Sequence, residues 1–98
     1  MTYYRPKNLQ PEKRATDGRL IVPGRLRDRL ASDRLRLHDV AGSLYWAHGN
    51  YGLPTLAREY DDAVRLFGTV TALLENTTTQ SDIRYREWLE KERAADAA

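Results

Sequence analysis

Apolar residues recur through the middle of this chain at alternating spacings of three and four, the mark of helices that bury one face. Leu26, Leu30, Leu37, Val40, Leu44 and Ala47 form one stripe, with Asp33 as its one polar member. The stripe predicts a helix over residues 24–48, about 37 Å long, with Pro23 suited to its first turn. Ser32 and Asp33 are good N-cap types, so the segment also reads as two helices, 24–31 and 33–48, with a kink. Gly49 is the expected residue for its end. Leu56, Tyr60, Ala63, Phe67, Val70 and Leu74 form a second, uninterrupted stripe and predict a helix over 54–75 that starts at Pro54. Val64, Leu66 and Leu73 widen this face, so it contacts more than one neighbouring helix. The two segments read as an antiparallel hairpin whose tip is residues 45–54.

Outside the hairpin the apolar pattern thins. Residues 81–94 predict a third helix, capped by Ser81 or Asp82, with Tyr85, Trp88 and Leu89 on one face and Ile83 to one side. Residues 75–80 read as a polar loop of low helix propensity. Arg19–Val22 is the one strand candidate, with no partner expected in its own chain. Residues 1–18, broken by Pro6, Pro11 and Gly18, read as an extended basic arm that Tyr3, Tyr4 and Leu9 would dock. The fold class is therefore all-α: a long antiparallel hairpin plus a C-terminal helix, in one domain over residues 19–98. A chain of 98 residues buries a modest core alone, so completion as a homodimeric bundle is expected.

Composition narrows the classes. There is no Cys, which excludes a disulfide framework or a Cys-ligated zinc site and favours the cytoplasm. No apolar run reaches the roughly 18–20 residues of a membrane span, and the N-terminus has no apolar core of a secretory signal. Net charge is +2, yet the basic residues crowd the first 38 positions and the acidic ones the rest. The basic residues are mostly Arg, which fits a bacterial or phage coding sequence.

Catalytic chemistry is not expected. His38 and His48 lack metal-type spacing, and His48 suits a helix C-terminus. Glu59, Asp61 and Asp62 sit beside Arg58 and Arg65 and read as a solvated, salt-bridged face. No phosphate loop or nucleophile motif occurs, and no cofactor or metal is implied. Two binding surfaces remain. Leu35, Gly42 and Trp46 fall opposite the core stripe of the first helix. Together with His48 and Tyr51 at the tip, Leu35 and Trp46 form the expected contact surface for a protein partner, since Trp is enriched at interface hot spots. The alternative surface is Arg25, Arg27, Arg29, Arg34 and Arg36. Cations in a first turn oppose the helix dipole and lie beside free backbone N–H groups, an arrangement suited to the phosphates of duplex DNA.

The first reading is therefore a non-catalytic interaction protein, a regulator, inhibitor or assembly factor. The alternative is a small DNA-associated protein. Arg19 to Leu30 resembles the entry of a ribbon-helix-helix fold, a strand ending in Pro before a helix with spaced leucines. The resemblance covers about twelve residues and ends where the stripe runs on to residue 48. Trp46-Ala47-His48-Gly49 resembles the hairpin turn of small secreted two-helix proteins with Trp-x-Gly, but with one more residue between Trp and Gly. Neither family is assigned.

Overall fold

A residue before proline is pushed out of helical backbone, and Leu53, ahead of Pro54, stands at φ −88° and ψ 121°. The first helix must therefore stop by residue 52. Gly52 ends it in the left-handed conformation (φ 63°), and its N–H donates to the His48 carbonyl at 2.8 Å. This is a glycine's place, because an L side chain is strained there. Gly49, the expected terminator, lies inside the helix instead. Asn50 Nδ2 donates to the Trp46 carbonyl at 2.8 Å, and the Trp46 and Tyr51 rings meet edge-on at 6.0 Å. Both contacts support the extra turn.

The computed structural model describes residues 11–97 and is mostly helical. In chain order it comprises β1 (Leu20–Ile21), α1 (Gly24–Tyr51), α2 (Pro54–Glu75), β2 (Thr77–Thr78) and α3 (Gln80–Ala97). α1 is one continuous helix, so the break considered at Ser32–Asp33 does not occur. α2 has the expected bounds, with Pro54 in its first turn. The Ala-rich end of α3 stays helical to residue 97, in keeping with alanine's propensity. Tyr3, Tyr4 and Leu9 lie outside the described residues.

The hairpin seam keeps most of the expected α1 stripe and is widened along one side of it. α2 packs with its whole stripe, and Ala63 and Leu74 are buried. On α1 the half-buried residues are Arg27, Leu30, Ala31, Asp33, Arg34, Leu37, Ala41, Leu44 and Ala47. Leu30, Asp33, Leu37, Leu44 and Ala47 belong to the expected stripe, while Leu26 and Val40 are exposed. The cause lies at the base of the hairpin, where the start of α1 meets the end of α2. The last turn of α2 has no basic residue of its own, and carbonyls at a helix C-terminus attract cations. Arg27 supplies one, donating through NH2 to the Leu74 carbonyl at 3.4 Å. Arg34 lines the same recess with Leu74 and Glu75. On that side too, Tyr45 meets Tyr60 at 5.5 Å and His38 meets Phe67 at 6.2 Å.

The strand candidate finds a partner within its own chain, contrary to expectation. β1 and β2 pair in parallel, with Leu20 opposite Thr77 and Ile21 opposite Thr78. Leu20 N donates to the Asn76 carbonyl at 2.9 Å, and Val22 N to the Thr78 carbonyl at 2.8 Å. Threonine is β-branched and favours extended backbone, so Thr77 and Thr78, in the run read as a polar loop, form a short buried strand. Residues before β1 turn back at Asp17–Gly18, and Arg14 bridges antiparallel to Leu20. Asp17 closes this turn by accepting from Arg19 N at 3.0 Å and Arg19 Nε at 2.7 Å. The Arg19 backbone N–H, and then its guanidinium, hold the Asp17 carboxyl below its ordinary pKa.

Thr79 caps α3, accepting from Asp82 N at 3.2 Å, a role expected of Ser81 or Asp82. α3 is held mainly against this small N-terminal turn. Arg86 pairs with Asp17 at 3.3 Å, and Ile83 and Ile21 line a shared recess. Asp82 pairs with Arg27 at 3.8 Å. These two pairs tie α3 to other elements.

Thr78 is 1% exposed, and its hydroxyl has no hydrogen-bond partner. A buried, unpaired hydroxyl is destabilising, whereas a methyl of the same shape is not. Thr78→Val is therefore expected to stabilise the chain by about 1 kcal/mol, read as a higher midpoint in urea unfolding. An unchanged or lower midpoint would contradict this account of the clasp.

Candidate protein-binding surface

Two antiparallel helices in contact make a layer one helix thick. The shortest extent of the molecule is accordingly 19 Å, against 64 and 41 Å for the others. Neither broad face of the hairpin is covered by α3, and each carries large apolar side chains in the open.

One face is aromatic. Between α1 and α2 runs a groove of about 350 Å³ lined by His38, Gly42, Tyr45, Tyr60, Val64 and Phe67, with Ala41 beneath. Gly42 also borders a shallower depression that continues over the outer side of α1 to Trp46. A Cβ at Gly42 would meet nothing within 4 Å. Close packing within the chain therefore gives no reason for a glycine in mid-helix, where it costs about 1 kcal/mol relative to alanine. The space it leaves is open to something approaching from outside.

The expected contact residues are distributed around this surface. Trp46 is 61% exposed and rests edge-on against Tyr51, so it covers the turn and does not close a core. Tyr51 is equally open. Leu35 is 66% exposed, but it lies eleven residues before Trp46, roughly 16 Å along the helix. His48 is exposed and points to a different side of α1, since two helical positions differ by about 200°. The structure thus groups Trp46 with Tyr51, places Leu35 farther along the same outer surface, and separates His48 from both. The groove residues His38, Tyr60 and Phe67 were not anticipated as a surface. The available signal was the width of the α2 stripe, which exceeds what α1 alone covers.

The second face is aliphatic, with Leu26 and Val40 from α1 and Leu66 and Leu73 from α2 all exposed.

The five arginines of the alternative surface are not one patch. Arg27 and Arg34 turn to the end of α2. Arg36 lies 3.9 Å from Asp33. Arg25 and Arg29 flank Pro23 and Leu26 in a separate recess, and neither forms an ion pair among the described residues. Among those residues no group of three or more His, Asp or Glu is placed to hold a metal ion, and no helix is long and apolar enough to cross a membrane.

No protein-family model, no curated protein and no solved structure matches this chain.

Proposed function

We propose that this chain is a non-catalytic interaction protein that self-associates through its hairpin and binds a protein partner on its aromatic side. The observation that carries the reading is the open groove over Gly42, running from Phe67 to Trp46, which none of the described residues fills. An apolar, aromatic groove between two helices suits a helix from another protein, whose side chains would occupy the space over Gly42. Regulation, inhibition or assembly of a cytoplasmic complex all follow from such a contact. The second reading is contact with duplex phosphates, and Arg25 and Arg29, without an ion pair among the described residues, favour it.

Capture from the native host with a tagged full chain tests both. Trp46→Ala and Gly42→Leu are both expected to retain helicity, because Trp46 is exposed and Leu is a better helix former than Gly. Both are expected to reduce recovery of the partner at least tenfold. Nuclease treatment removes any recovery that depends on DNA and leaves protein capture intact. Undiminished recovery with both variants would refute the groove as the contact surface.

A further inference from the structure

The ten residues ahead of Pro11 hold Tyr3, Tyr4 and Leu9 as apolar anchors, with Arg5 and Lys7 and no acid. Their neighbours fix where this segment joins the fold. Arg14 pairs antiparallel with Leu20, and the Lys13 carbonyl accepts from Ile21 N at 2.9 Å. Continuing that pairing, residues 12 and 11 come level with Val22 and Pro23, where α1 begins. The segment therefore starts at the base of the hairpin, from which both broad faces run.

Its length suits the aromatic groove. The residues before Pro6 and Pro11 favour extended backbone. At about 3.3 Å per residue, Tyr4 and Tyr3 reach about 23–26 Å from Pro11. His38 and Gly42 lie about 21 and 27 Å from the start of α1, at 1.5 Å per helical residue. The two tyrosines thus come level with the middle of the groove. Gly42 leaves room there over bare backbone, and Tyr45, Tyr60 and Phe67 offer faces and edges to a further ring.

Charge decides between the two faces. On the aliphatic side this basic segment would pass Arg25 and Arg29 just after Pro23, and neither has an ion pair among the described residues. On the groove side Arg27 is taken up by the Leu74 carbonyl and Asp82. Glu75 borders the lower recess, together with Arg34. Asp39, beside His38, borders the depression next to the groove. Asp61 stands three residues before Val64, on the same side of α2. Along this path the acids outnumber the free bases, so Arg5 and Lys7 are better placed there.

We propose that residues 1–10 lie along the aromatic groove of their own chain, with Tyr3 and Tyr4 over Gly42, and that the partner must displace them. This rests on the reading of the groove as the partner's site and adds its regulation. A tethered segment competes at high local concentration. The partner's apparent affinity then falls with the fraction of grooves left open.

The chain has no native Cys, so two introduced ones report where the segment lies. Val64 and Leu66 are both exposed, on opposite sides of α2. Thr2→Cys with Val64→Cys is expected to close a disulfide within one chain about tenfold faster than Thr2→Cys with Leu66→Cys. Equal rates would overturn the docking, and faster closure with Leu66→Cys would overturn the choice of face. Disulfides formed mainly between chains would overturn docking within the same chain. Removal of residues 1–10 is expected to raise recovery of the partner roughly threefold or more. Tyr3→Ala with Tyr4→Ala is expected to do the same with the segment still in place. Unchanged recovery in both overturns the competition. Undiminished recovery with Trp46→Ala and Gly42→Leu overturns the groove as the partner's site, and the disulfide rates, read on the chain alone, still decide where the segment lies.

Discussion

Leu74→Ala is expected to cost about 2–4 kcal/mol, the range for deleting a buried aliphatic side chain, and to lower the melting temperature by roughly 10–25 °C. Leu74 is 6% exposed and is the one large aliphatic residue buried among those described. It stands where the end of α2, the start of α1 and β2 converge. Its carbonyl accepts from Arg27 NH2 at 3.4 Å and from the Thr77 hydroxyl at 3.2 Å. Truncation would open a void beneath those bonds, and the surrounding elements are too few to collapse into it. A domain of this size has about 5–15 kcal/mol in total, so the loss is a large fraction. The comparison is Leu35→Ala, on the open side of α1, which is expected to change stability by less than about 0.5 kcal/mol. Equal melting shifts for the two variants would show that the hairpin base is not what holds the chain together.

Leu20→Pro is expected to release α3 while leaving the hairpin helical. Proline removes the N–H that Leu20 donates to the Asn76 carbonyl, and a ladder interior tolerates that poorly. The cost is about 2–3 kcal/mol, concentrated in the two-strand clasp. α3 depends on that clasp, because its other ties are exposed ion pairs and the Ile83–Ile21 recess. Amide exchange at Val22, whose N–H donates to the Thr78 carbonyl, is therefore expected to accelerate roughly 30- to 150-fold. Limited proteolysis should cut between α2 and α3 first. If Val22 keeps its protection, the clasp is not what positions α3.

α2 was legible because its stripe is uninterrupted from Leu56 to Leu74 and one neighbour suffices to read it. α1 was legible as a helix and in most of its stripe, but not in the width of its covered side, which depends on where Arg27 and Arg34 go. Those arginines, read as opposing their own helix dipole, sit at the C-terminus of the neighbouring helix, where the sign is favourable. Such a relation exists only once the hairpin has closed. The clasp was hidden for a similar reason. Thr77 and Thr78 carry a β-branched signal, but their partners are at the other end of the chain. Of the contact surface, Trp46 and Tyr51 were recognisable as aromatics at a turn. The groove walls Tyr60 and Phe67 do lie in the seam, against Tyr45 and His38, but a stripe alone does not reveal that their outer edge stays open.

The parallel pairing of β1 with β2 also sets a schedule during synthesis. Residues 20–21 leave the ribosome early and have no strand to join until residues 77–78 follow. At about 5–20 residues per second that wait lasts roughly 3–11 s. The two long helices can form and meet during it, since their contacts are nearly consecutive along the chain. The first strand, meanwhile, is an unpaired edge open to a second nascent chain. The clasp thus closes only as α3 is being made, and a chain stalled before residue 77 would carry a formed hairpin with its edge strand still free.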